Sequence, residues 1–182
     1  MSWFRRNWIY IAATLAIAVA VHVASVLAIP HLIMARVMGA IAQRGQINAM
    51  EFAQRPTAES RGVVRPSPDL LYSTCVFDLD KAGGALRVHA QGMPQTYWSV
   101  SAFDAETNNF FVENDRQAKT GAVDFVIAAP GVYINTRLPV VASPTARGLV
   151  LFRTLISDET QLAEIDRARR GAGCEAFPRQ GN

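Results

Sequence analysis

The spacing of hydrophobic and polar positions changes period along this chain. From Trp8 to Ile29, 22 residues carry no formally charged side chain, and a helix of that length reaches about 33 Å at roughly 1.5 Å per residue. A hydrocarbon core is about 30 Å thick, so the segment predicts a membrane-spanning helix. In Pro30–Arg44 the apolar positions Leu32, Ile33, Val37, Ala40 and Ile41 keep helical spacing. That stretch reads as a kinked continuation of the span or as a short separate helix, and Gly45 ends either one. From Gln46 to Pro68 the pattern weakens, with Pro56, Gly62, Pro66 and Pro68 marking a loop.

The period then becomes two. Leu86, Val88 and Ala90 alternate with Arg87, His89 and Gln91, as in a half-buried strand. Leu70–Leu79 has apolar residues on both faces and reads as a central strand. Thr96–Phe103, Asn109–Glu113, Ala122–Ala128, Gly131–Asn135 and Gly148–Leu155 read as further strands between Gly- and Pro-containing turns. Last comes a helix, with Asp158 as N-cap, Gln161 completing a capping box, and Leu162 and Ile165 as its buried stripe. Arg167, Arg169 and Arg170 crowd its last turn, where positive charge complements the helix dipole. The fold class is therefore mainly β (α+β): a transmembrane helix, then an antiparallel β-sandwich-like domain with a C-terminal helix. The expected divisions are 1–29 (cytoplasmic stub and span), 30–68 (helix and loop), 69–173 (sandwich and helix) and 174–182 (tail).

Charge refines this picture. Arg5 and Arg6 precede the span and predict a cytoplasmic N-terminus, which exports the remainder. Arg36 and Arg44 on the far side weaken that asymmetry. A cleaved signal peptide is the rival, but the apolar run exceeds a signal core of roughly 7–15 residues. Of the 18 basic residues, four lie in 1–45, where there is no acidic one, leaving 14 basic against 15 acidic for the rest. The folded part has no basic excess, which argues against nucleic-acid binding. The chain has two cysteines, Cys75 and Cys174. After export they have an oxidising compartment in which to pair, while a buried thiol and an incidental one remain the alternative.

Candidate chemistry is sparse. There is no phosphate loop, no paired metal-ligand motif and no nucleophile elbow, so no metal or cofactor is expected and an enzymatic role stays open. His22 lies inside the span, where an ionisable group is a functional hypothesis by default; the plainer reading is a neutral histidine facing a partner helix or a loosely packed interior. His89 sits on the polar face of a strand, where a solvated histidine is expected. Two polar stretches stand out: Arg65 to Ser73, which brings Arg65, Asp69 and Tyr72 together, and Tyr97 to Asp104 followed by Asn108. Their polar groups serve either to close turns or to border a ligand pocket formed by Arg65, Asp69, Tyr72, Asp104 and Asn108.

These motifs carry a resemblance. Arg65-Pro66 with Asp69 and Tyr72-Ser73, Phe77-Asp78-Leu79, Tyr97-Trp98-Ser99, Phe103-Asp104-Ala105, Thr107-Asn108, Phe125-Val126-Ile127 with Ala129-Pro130-Gly131, and Arg153-Thr154-Leu155 resemble the bacterial family called domain of unknown function 1254. Ser67 and Leu70 stand where that family often has Asn and Thr. The resemblance covers roughly Pro30 to Ile165 and implies a β-sandwich-like module with no established reaction. Larger relatives carry a second module, domain of unknown function 1214. This chain ends before such a module, so the companion is expected on a separate polypeptide. The expected setting is the bacterial inner membrane, single-pass, with the C-terminal domain in the periplasm. A partner surface is expected to include exposed aromatics such as Trp98, Phe110 or Phe111. The rival expectation is a small-ligand binder or an enzyme using the Arg65–Tyr72 region.

Overall fold

The computed structural model describes residues 2–61, 65–118 and 121–177. Helix α1 (Ser2–Ala42) is one continuous 41-residue element with Pro30 inside it. The segment after Pro30 thus continues the apolar helix and does not start a new one. Pro30 cannot donate to the Val26 carbonyl. One residue along, the His31 ring Nδ1 lies 3.0 Å from the Leu27 carbonyl. Large apolar side chains from Trp3 to Ile29 are exposed, and the helix is long and apolar enough to cross a membrane. It unwinds at Gly45, whose N–H donates to the Ile41 carbonyl.

Among the described residues nine strands follow: β1 (Glu51–Phe52), β2 (Leu70–Asp78), β3 (Ala85–Ala90), β4 (Trp98–Asp104), β5 (Asn109–Asn114), β6 (Val123–Ala128), β7 (Val140–Ala142), β8 (Arg147–Leu155) and β9 (Gly173–Ala176). They form two sheets, of order β1-β2-β8-β4-β5 and β7-β6-β3-β9. All pairings are antiparallel except β6–β7, which is parallel. Phe77, Trp98, Val100 and Phe152 of the first sheet meet Leu86, Val88, Phe125 and Ile127 of the second in one core. Alternation explains this, because each strand places every second side chain on the buried face. Fully burying each of the larger side chains contributes about 1.5–3 kcal/mol.

Three short elements escape the period-two reading, since two to four residues are too few to establish an alternation. Gly131–Asn135 has no strand pairing; the chain there is a loop, and Val140–Ala142 pairs with β6 instead. Residues 174–176, expected in a tail, continue β9 along β3. A disulfide joins Cys75 on β2 to Cys174 on β9, with Cα atoms 6.4 Å apart. Face-packed sheets usually stand about 10 Å apart, so the two sheets approach each other at this bond. Gly148 is required beside it, because a Cβ there would overlap the Phe103 carbonyl and the Phe77 ring.

The outward face of the first sheet carries the even-numbered residues of β2 and the odd-numbered residues of β4 and β8. At one end of that face Val76 and Leu149 pack against Met34 and Met38 of α1, with Val37, Ile41 and Phe103 around them. At the opposite end of the sheet, on the inward side, lies α2 (Leu162–Arg169), buried through Ile165 against Leu71 and Ile156. Asp158 caps the 3-10 turn Glu159–Gln161 that leads into α2, accepting from Thr160 N–H at 2.8 Å. Gln161 makes no side-chain cap, so the capping box does not form.

Candidate functional site

The five expected pocket residues separate into two groups. Tyr72 lies opposite Arg153 of β8, in the row that continues to Ser99 of β4. Asp104 lies opposite Gly148, in the row that continues to Phe77 of β2. From residue 72 to 77 the strand runs about 17 Å at roughly 3.3 Å per residue. Arg65, Asp69 and Tyr72 therefore share one end of the sheet, while Asp104 and Asn108 occupy the other.

The Asp104 end is a closed turn. Asp104 is 1% exposed. Its Oδ1 accepts from the Glu106 and Asn108 backbone N–H groups at 2.8 Å, and its Oδ2 accepts from Asn108 Nδ2 at 2.9 Å. Thr107, between them, has φ of 72°; the left-handed region is uncommon for a β-branched residue, and the Asp104 carboxylate holds the backbone there. This network leaves Asp104 little capacity for a ligand. Glu106 of the same turn lies 3.4 Å from His31 Nε2 of α1.

The Tyr72 end is more elaborate. The Tyr72 hydroxyl accepts from Ser67 N–H at 3.1 Å, and the Asp69 carbonyl accepts from Ile156 N–H at 2.8 Å. Asp69 and Arg65 are exposed. Strand β1 stops after two residues, and Arg169 completes the sheet edge beyond it. Its guanidinium donates to the carbonyls of Tyr72 (2.8 Å) and Ala53 (2.9 Å) and to Ser73 Oγ (3.3 Å). Asp166 accepts from Arg169 Nε at 2.6 Å and from Arg170 Nε at 2.8 Å. Burial pushes the Arg169 guanidinium below its usual value, with Asp166 opposing that shift. Burial also works to raise the Asp166 carboxyl, but Arg170 and Arg169 together hold it below its ordinary range. Both guanidiniums stand over the Phe52 ring, 5.8 and 5.5 Å from its centroid.

Arg169 is 2% exposed, and helix-end complementarity does not explain that burial. The sequence did carry a signal: with Leu162 and Ile165 it falls at helical spacing, so an arginine occupies a position of the apolar stripe. Arg153 is marked in the same way, interrupting the outward-facing series Leu149, Leu151, Arg153, Leu155.

Two cavities open on the domain, one of them beside α2. One, of about 520 Å³, lies beside α2 and is lined by Arg55, Leu71, Glu159, Leu162, Asp166 and Arg169. Arg55 closes its rim with a fork to Glu159 at 2.8 and 2.7 Å and donates to the Pro68 carbonyl. That pairing raises the Arg55 pKa and lowers that of Glu159. The other cavity, of about 590 Å³, opens between β5 and β6 and is lined by Phe111, Glu113, Gln117, Asp124 and Phe125. Burial pushes the Glu113 carboxyl up.

His89 is half-buried, with Nε2 3.7 Å from Glu175, beside the Arg87–Asp124 fork at 2.8 and 2.7 Å. Its ring lies against Gly173, where a Cβ would overlap it. Of the aromatics expected on a partner surface, Trp98 is interior and Phe110 and Phe111 are half-buried against the core. Trp98 is 2% exposed. Phe110 packs edge-on to Phe77, and Phe111 stacks near Phe125, with centroids 4.2 Å apart. Their apolar neighbours explain the difference: each completes the core between the sheets.

The family profile described as protein of unknown function DUF1254 matches residues 47–176, a span that begins as α1 ends and closes with β9. The chain belongs to the DUF1254 family. No curated protein matches it. In fold it is similar to the crystal structure of the VPA0106 protein from Vibrio parahaemolyticus, with a TM-score of 0.60 and 14% identity over 83% of this chain and 38% of that one. A weaker similarity links it to an uncharacterised protein from Burkholderia cenocepacia, with a TM-score of 0.48 and 18% identity over 64% of this chain and 33% of that one. This DUF1254 chain thus spans well under half the length of either neighbour.

Proposed function

We propose that this DUF1254 protein is a single-pass membrane protein whose folded domain is held at the outer surface of the bacterial inner membrane and acts through a protein partner. The observation that carries this reading is the docking of α1. The uncharged run ends at Ile29, and within five residues Met34 is buried against the sheet, followed by Met38. A helix crossing a bilayer would deliver the sandwich directly to the membrane surface with no flexible tether. The Cys75–Cys174 bond supports an oxidising, periplasmic location, in agreement with Arg5 and Arg6 staying cytoplasmic. A polypeptide carrying the companion DUF1214 module is our candidate for the partner.

Purification from native membranes in mild detergent, with mass spectrometry of co-eluting chains, tests the partner. A stoichiometric polypeptide carrying that module is the expected result; elution of the protein alone would overturn it. Protease treatment of intact spheroplasts tests the location separately. Digestion of the domain is expected, and full protection would place it in the cytoplasm.

A further inference from the structure

Four arginines in the described domain are partly or fully withdrawn from water, and three of them are matched. Arg55 is forked onto Glu159, Arg87 onto Asp124, and Arg169 is bonded to Asp166. The fourth, Arg153, has no carboxylate partner among the described residues. Its one described acceptor is the neutral Ser101 hydroxyl, 3.3 Å from Nη2. Arg153 Nε is buried without a hydrogen-bond partner, and so is the Oγ of Ser99, directly opposite on β4. A half-buried guanidinium loses hydration that a neutral hydroxyl only partly replaces, and buried unpaired donors are uncommon enough to call for a cause.

The surroundings specify what would match it. Arg153 stands on β8, the central strand of the five-stranded sheet. On the outward face its cross-strand neighbours are Tyr72 and Ser99, and its neighbours along the strand are Leu151 and Leu155. The order β2-β8-β4 thus brings three distant polar motifs, Arg65–Ser73, Tyr97–Ser99 and Arg153–Leu155, into one row. Helix α1 covers the other end of this face, around Val76 and Leu149. A guanidinium flanked by hydroxyls reads an oxyanion, and the two leucines with the Tyr72 ring add apolar walls.

We infer that this row is a binding site for a small organic acid, with Arg153 taking the carboxylate and Leu151, Leu155 and Tyr72 contacting its apolar body. The inference does not depend on the protein partner, and neither stands or falls with the other.

The test uses the full chain in dodecyl maltoside at constant ionic strength, titrated with sodium hexanoate, acetate or phosphate. The arginine Nε–H resonances are followed by NMR, and Arg153→Lys identifies the one belonging to residue 153. That resonance is expected to move saturably with hexanoate, with acetate and inorganic phosphate binding about tenfold more weakly because they lack an apolar body. Arg153→Lys keeps the charge but loses the fork and is expected to weaken hexanoate about tenfold, read by titration calorimetry against the unsubstituted chain because this variant lacks the followed resonance. Ser99→Ala, which leaves the arginine in place, is expected to weaken it by about threefold. No movement of the resonance, equal affinity for phosphate and hexanoate, or unchanged binding in Arg153→Lys would each overturn the site.

Discussion

Strand β2 is held in opposite ways at its two ends. At the Asp78 end, Val76 lies under the methionines of α1, and the nearby polar groups of Asp104 and Asn108 are spent on closing the β4–β5 turn. At the Leu70 end the strand is fastened by charge: Arg169 bridges the Tyr72 and Ala53 carbonyls while Asp166 balances it. An apolar contact is non-directional and tolerates sliding of one element over another, whereas an arginine bonded to two carbonyls sets α2 at one position. The difference suits a domain in which one end rests on a helix of 41 residues and the other must position a helix of eight residues against a sheet edge.

Removing the feature that lies between the two ends breaks the comparison most. The bond between Cys75 and Cys174 closes a loop of 99 residues, and losing a loop of that size costs about 4–5 kcal/mol of stability. Replacing both cysteines with alanine is expected to lower the guanidinium midpoint accordingly and to weaken both ends together. Arg169→Met is next. It removes the guanidinium donor from the Ala53 carbonyl, leaves the Tyr72 carbonyl only the Ala53 N–H, and leaves Asp166, 32% exposed, without its buried partner, an expected loss of about 3 kcal/mol. Hydrogen exchange should rise in α2 and β1 and stay unchanged at Val76, whereas Arg170→Met, at an exposed position, should cost under about 1 kcal/mol. Met38→Ala acts on the other end. Its expected cost is about 2 kcal/mol, with faster exchange near Val76 and none near Tyr72.

Acid gives the smallest effect. The Asp166 carboxyl is held below its ordinary value of 3.8 by Arg170 and Arg169, against the opposing pull of burial. Its contribution is present above the unfolded value and is lost as pH falls through the lower folded one. Exchange in α2 is therefore expected to quicken below about pH 3.8, and Asp166→Asn should reduce that dependence, the remainder coming from Asp158 and Glu159, whose carboxyls Thr160 and Arg55 hold low.

Much of this architecture is legible in the chain. Alternation marks β2, β3, β4 and β8 within a residue or two, because each has one face in the core. Strands β1, β7 and β9 are too short to alternate and exist through their neighbours' free edges. The pairing of Tyr72 with Arg153 and Ser99 is equally invisible, since a register is a relation between segments. Arg65, Asp69 and Tyr72 are local to one another in sequence and remain so in space. Asp104 and Asn108 are local only to each other, which is why they form a turn and do not join the first group.

The sequence alone determined the long helix with its uncharged run, the mainly β domain behind it and membership of the DUF1254 family, because composition and period act locally and survive any arrangement of the strands. Tertiary structure decided which polar residues meet. Arg169 is a strut and Arg153 an unmatched cation for one physical reason: strand order and packing fix which acceptors reach a guanidinium, and no spacing along the chain records that.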